Sequence, residues 1–220
     1  MHPYLDALNA MRELLGALGE THWRSWIAKD IAEWEGSKSV SHHLSAYGGM
    51  GSFNDIGFED VWRGTLFEDL QSACYHFAHH PTTRPDARKL EQAMGTIGFE
   101  LSGWRCLACG YSVVSHRDID YFIARRVVRE CILREAVRTR LLEFVRSVIQ
   151  RPPQDELLTH SRVAEWVDGS RIHIRDGNDW LRPCPGCGSN NTAVYRWSLI
   201  TDGGYRFVPS SDNLPLRAES

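Results

Sequence analysis

Cys106-Leu107-Ala108-Cys109-Gly110 and Cys184-Pro185-Gly186-Cys187-Gly188 repeat one pattern: two cysteines separated by two residues, with a glycine directly after the second. A two-residue gap lets both thiolates of such a knuckle reach one ion. The glycine permits the tight turn that aims backbone N–H groups at the sulfurs. Two knuckles together supply the closed tetrahedral site of a structural zinc ion, with Cys106, Cys109, Cys184 and Cys187 as ligands. The competing reading is a pair of unrelated redox motifs, and a thioredoxin-like C-x-x-C would sit at a helix N-terminus after a buried strand. Here each pair is followed by glycine and then by strand-like sequence, so a metal is favoured. Four thiolates leave no open coordination position, which argues for a folding role and against a zinc hydrolase at these residues.

At these ten positions the chain resembles the zinc-ribbon family, in which each knuckle sits on a β-hairpin. It departs from that family in the 74 residues between Cys109 and Cys184, several times the usual loop. The expectation is therefore a split ribbon with a helical insertion over residues 118–167. Ile97 to Leu101 alternates as a strand toward the first pair, and Tyr111 to Val114 follows it. Asp118 can cap a long helix that runs to about Gln150 and is stopped by Arg151-Pro152-Pro153. A shorter helix is expected over Asp155 to Val167, and Arg171 to Ile174 alternates as a strand. Asp176-Gly177-Asn178-Asp179 then turns the chain toward the second pair. Beyond it, Ala193 to Ile200 and Tyr205 to Val208 flank Thr201-Asp202-Gly203-Gly204, a good hairpin turn.

The N-terminal half reads as helical. Leu5, Leu8, Met11, Leu15 and Leu18 recur on one helix face, and Trp23, Ile27, Ile31 and Trp34 do so on a second. A third helix is expected from about Phe58, burying Phe67, Leu70, Cys74 and Phe77. Between the second and third lies Tyr47-Gly48-Gly49-Met50-Gly51-Ser52-Phe53-Asn54-Asp55, whose glycines mark positive backbone angles or close backbone approach. The whole is an α+β chain. Residues 1–80 form a helical domain, 81–95 a turn-rich connector, 96–209 the ribbon with its insertion, and 210–220 a flexible tail. Gly19-Glu20 before Trp23, together with the loop from Tyr47 to Asp55, resembles an uncharacterised bacterial helical domain family. That family is similar in size and setting to small proteins found near toxin and defence genes. The resemblance implies a bacterial origin and a partner-binding role, and it brings no catalytic residues.

Composition narrows the function. A net charge of -3 and a pI near 6.4 argue against broad affinity for nucleic acid or membrane surfaces. No run approaches a membrane span, and the N-terminus reads as an amphipathic helix rather than a signal peptide. The cysteine usage suits reduced thiols and a metal in the cytoplasm. His76 and His80 lie one helical turn apart, a metal-binding spacing, but lack the Glu of H-E-x-x-H; exposed histidines at a helix C-terminus are the simpler reading. His42 and His43, with Asp55 and Glu59, form a candidate acid–base cluster without a nucleophile. The glycine loop lacks the ending of a phosphate loop, and Ser52, Asn54 or Asp55 can cap the next helix.

On the long helix, at 100° per residue, Arg125, Arg126, Arg129, Arg140 and Arg151 fall within an arc of roughly 100°. Such a stripe can track a phosphate backbone, meet an acidic protein, or pair with Glu130, Glu135 and Glu143. Three functions follow. The favoured one is a protein–protein interaction module, an immunity or inhibitor protein that neutralises a toxin or effector. It would bind through Gly48, Gly49, Met50, Phe53, Asn54 and Asp55 together with Arg125, Arg129 and Arg140. The alternative is a nucleic-acid-binding regulator using the ribbon and the arginines. An enzyme acting through His42, His43 and the loop is the third.

Overall fold

A computed structural model of the chain describes residues 2–95, 100–150, 157–175, 183–200 and 204–210. It is an α+β protein that divides into two compact units. The first comprises residues 1–96 and 124–154, the second residues 97–123 and 155–220.

The first unit is helical. Helices α1 (Pro3–Ala17), α2 (Thr21–Ser37), α3 (Ser41–Leu44), α4 (Val61–His79) and α5 (Ala87–Ala93) come from the N-terminal half. Proline at N1 and the His2 side chain, accepting from the Tyr4 N–H, start α1. Gly19 ends it in the left-handed conformation, where the Glu20 N–H bonds Leu15 O and the Gly19 N–H bonds Gly16 O. Tyr4, Leu8, Met11 and Leu15 share its buried face with Ile27, Ile31 and Trp34 of α2 and Phe67, Leu70, Cys74 and Phe77 of α4. Asp60 caps α4 at the Arg63 N–H, so the helix begins at Val61 rather than Phe58.

Two expectations change here. Residues 81–95 contain a helix, α5, capped by Asp86 and carrying Leu90 into the core. The long helix expected from Asp118 to Gln150 is two helices, α6 (His116–Arg138) and α7 (Leu141–Gln150). Thr139 takes a φ of 56°, and the Arg140 N–H bonds Glu135 O while the Thr139 N–H bonds Ala136 O. This is the helix-ending motif usually built on glycine, here on a β-branched residue that pays a steric cost in the left-handed region. The new N-terminus of α7 is capped from far away in sequence: the buried Asp6 carboxylate accepts from the N–H groups of Leu141 (2.7 Å) and Leu142 (3.3 Å). Burial pushes this carboxyl up in pKa, against the two N–H groups that hold it down. Val128, Ile132, Ala136, Leu141, Val145 and Val148 then join the N-terminal helices in one core.

The second unit holds β1 (Glu100–Cys106), β2 (Ser112–Ser115), β3 (Ile172–Arg175), β4 (Thr192–Ile200) and β5 (Arg206–Pro209), with α8 (Leu157–Gly169). The sheet order is β3-β2-β1-β4-β5. β1 pairs antiparallel with β2 (Trp104 opposite Val113) and with β4 (Gly103 opposite Tyr195), and β4 pairs antiparallel with β5. β3 runs parallel to β2, with Ser112 opposite Ile172. Gly103 allows close packing at the centre of the sheet, where a Cβ would lie 2.3 Å from Val113 O. The Phe207 N–H donates to Ser170 Oγ at 2.8 Å, and Trp166 stacks on Tyr205, tying α8 to the β5 edge. The turns expected over residues 176–179 and 201–203, the stop at 151–153, the strand residues 97–99 and the tail from 211 onward lie outside the described residues.

Asp6→Ala should destabilise the first unit by about 1–3 kcal/mol, because it removes two buried N–H partners at the start of α7. Urea unfolding followed by circular dichroism checks this, with a smaller loss for Asp6→Asn.

Candidate metal centre

The two knuckles share one backbone design. In the first, the Cys106 N–H bonds Tyr111 O at 2.8 Å and the Gly110 N–H bonds Cys106 O at 2.8 Å. In the second, the Cys184 N–H bonds Ser189 O at 2.9 Å and the Gly188 N–H bonds Cys184 O at 2.8 Å. Gly110 and Gly188 both take positive φ, 77° and 72°, the conformation for which the sequence places glycine there. The Leu107 N–H donates to Asn191 O and links the two turns.

The first knuckle closes the β1–β2 hairpin, as a ribbon requires. The second leads into β4, which pairs antiparallel with β1. Pairing of β4 against β1 brings the two cysteine pairs together.

The four sulfurs all lie within 4.8 Å of one another, the one such cluster of His, Cys, Asp or Glu among the described residues. Cys106 and Cys187 are 3.7 Å apart, as are Cys109 and Cys184. Tetrahedral thiolates about 2.3 Å from a central ion stand about 3.8 Å from each other, whereas a disulfide needs about 2.05 Å. All four thiols are free, and the spacing fits a metal ion between them. Cys106 and Cys184 are buried, while Cys109 and Cys187 lie at the surface.

The thiols differ in how readily they ionise. Although desolvation works against its thiolate, the N–H groups of Cys109 and Ala108 and the neighbouring thiols draw the Cys106 pKa down to about 7. At Cys109 the Tyr111 backbone favours the thiolate, but the Cys187 thiol and its neighbours outweigh it and push the pKa up to about 12. Closely spaced thiols give up their protons in separated steps because their anions repel. A metal ion removes that repulsion and takes all four as thiolates. The other cysteines do not take part: Cys74 is fully buried, with its thiol pKa pushed well up by burial, and Cys131 lies on α6.

The remaining candidate residues are scattered. Gly48, Gly49 and Gly51 adopt φ of 107°, 84° and 75°. Phe53 is buried below them, while Met50, Asn54 and Asp55 are exposed. Asp55 and Ser52 form a reciprocal capping box on the short 3-10 turn Phe53–Asp55. Asp55 is therefore engaged with Ser52, and His42 and His43 turn to a residue the sequence reading passed over. Both Nδ1 atoms meet the buried carboxylate of Asp30, at 2.8 Å for His43, and His43 Nε2 contacts the Tyr47 hydroxyl at 3.1 Å. Its position between Ile27 and Ile31 on the apolar face of α2 was the available signal for Asp30.

The arginine stripe also changes. Arg129 is buried, with its guanidinium on Asp69 Oδ1 at 2.7 and 2.9 Å and on Gly95 O at 2.9 Å. Burial pushes the Asp69 carboxyl up in pKa, and Arg129 opposes that shift. Arg126 pairs with Glu130, and Arg140 lies beyond the break at Thr139 and pairs with Glu143. Arg125 remains on α6, and Arg151 lies outside the described residues.

A family described as a domain of unknown function (DUF6966) matches residues 17–60, a segment that carries α2, α3, Asp30, both histidines and the glycine loop. No curated protein and no solved structure matches the chain.

Cys184→Ser should abolish stoichiometric metal binding and lower the melting temperature of the second unit, read by elemental analysis and calorimetry. Arg129→Met should cost the first unit about 3–5 kcal/mol by stranding Asp69, and Asp69→Leu in the same chain should restore most of it. Urea unfolding of both variants measures the difference.

Proposed function

We propose that the chain is a protein-binding module of the immunity or inhibitor kind, which holds a toxin or effector protein through the glycine loop. A structural zinc ion maintains its second unit. The observation that carries this reading is the contrast between the anchoring of the loop and its tip. From below, Phe53 is buried against Trp23, Tyr47 and Phe67, and the Gln71 amide donates to Phe53 O at 2.6 Å. The Phe53 N–H bonds Ala46 O, and the Ser52–Asp55 box closes the far side. On this fixed base three left-handed glycines carry Met50 fully into solvent.

Because the turn is already ordered, burying Met50 against a partner costs side-chain rotamer freedom but little backbone freedom. Its flexible thioether adapts to an apolar pocket. Carboxylates at Asp55, Glu59 and Asp60 flank the tip in sequence and are exposed, which suits a partner that is basic around that pocket. Four soft thiolates in a closed tetrahedral arrangement favour zinc and a purely structural role. Reduced thiols of this kind suit the cytoplasm, and no helix among the described residues is long and apolar enough to cross a membrane. A nucleic-acid reading loses its support with Arg129 buried and Arg126 and Arg140 in ion pairs.

Native mass spectrometry of the chain purified from its own host should show one zinc ion and a stoichiometric protein partner. Met50→Asp should weaken that complex by about 30-fold, the worth of a hot-spot residue of about 2 kcal/mol, with the melting temperature unchanged. A complex indifferent to Met50→Asp would contradict the loop as the docking site.

A further inference from the structure

The end of α4, the turn after it and α5 enclose a cleft of about 430 Å³, within the range of small-molecule sites. Its polar lining is made almost wholly of donors. Arg84 and Lys89 enter from the turn and from α5, His76 and His80 from α4, and Thr83 adds a hydroxyl. Neither Arg84 nor Lys89 makes an ion pair among the described residues. The one carboxylate in the lining, Asp86, accepts from the Lys89 N–H at 3.0 Å as the cap of α5, and Arg84 and Lys89 outnumber it. Phe77, Pro85 and Ala93 supply an apolar floor.

We propose that this cleft binds a phosphate monoester, with Arg84 and Lys89 holding the phosphate and the apolar floor meeting the organic group. A phosphate dianion matches two cations and a hydroxyl donor, whereas a carboxylate leaves one cation unmatched. The carbonyl end of α4 disfavours an anion, so Arg84 and Lys89 must outweigh it. His76 has its pKa lowered by desolvation first and then by His80, His79 and Lys89. The same surroundings disfavour a divalent cation on His76 and His80, even though their rings stand 5.0 Å apart at helical spacing.

The test is an amide-resolved NMR titration of the full, metal-loaded chain with phenyl phosphate. Benzoate and sodium chloride at matched ionic strength serve as controls. The expected result is a saturating shift confined to residues 76–93, with a dissociation constant of about 1 mM or below. Arg84→Ala and Lys89→Ala should each weaken it by about fivefold or more, and both are surface changes that leave the fold intact. Three results would each overturn the proposal. One is a shift that fails to saturate by about 20 mM, far above that affinity. Another is an equal response to benzoate or chloride. The third is saturation that neither substitution alters. Loss of the partner complex by Met50→Asp reads a different surface, so the two proposals fail separately.

Discussion

Four cysteine sulfurs gathered within 4.8 Å are the constraint on which the second unit depends. Such a cluster could hold a metal ion, and a bound ion would fix its geometry. The two knuckles come from chain segments 74 residues apart, and residues 124–154 of that interval belong to the first unit. Pairing of β1 with β4 brings the segments together, and a metal would lock them there. By the chain-entropy argument, closing a loop of that length restrains the unfolded chain by about 4 kcal/mol. A small mixed sheet would gain a large part of its stability from such a clasp.

The first unit solves a different problem, that of specifying one arrangement of many short helices. Its core is almost entirely apolar, but three of its buried carboxylates each meet a partner on another element. Asp6 caps α7, Asp69 holds Arg129, and Asp30 joins α2 to both histidines of α3. Each costs desolvation and is tolerable only in one register, since a shifted helix would leave a charge unpaired. That selectivity explains how α7, which follows an unfavourable left-handed threonine, still has one place to dock.

What the sequence disclosed divides along the range of the interactions. The knuckles were legible because C-x-x-C-G encodes its geometry within five residues, down to the positive φ of Gly110 and Gly188. The helical faces of α1, α2 and α4 were legible for the same local reason. The break at Thr139 was not, because no glycine or proline marks it and Asp6, which caps the start of α7, is far away in the chain. The parallel pairing of β3 with β2 is likewise a tertiary choice, invisible in four alternating residues. Arg129 looked like part of a solvent-facing stripe because charge patterning alone cannot reveal a buried carboxylate on another helix. Asp30 and Asp69 could have been suspected from their places on apolar faces, beside Ile31 and Leu70.

The two units thus divide the labour. A metal bound at the four cysteines would hold together a sheet whose parts are separated along the chain, and the helical unit carries an anchored loop with an exposed methionine. The reading of the clasp is tested most directly by X-ray absorption at the zinc edge of the purified chain. The account expects one zinc ion with four sulfur neighbours at about 2.3 Å. A first shell containing nitrogen or oxygen at about 2.0 Å, or a fully folded chain without metal, would contradict it.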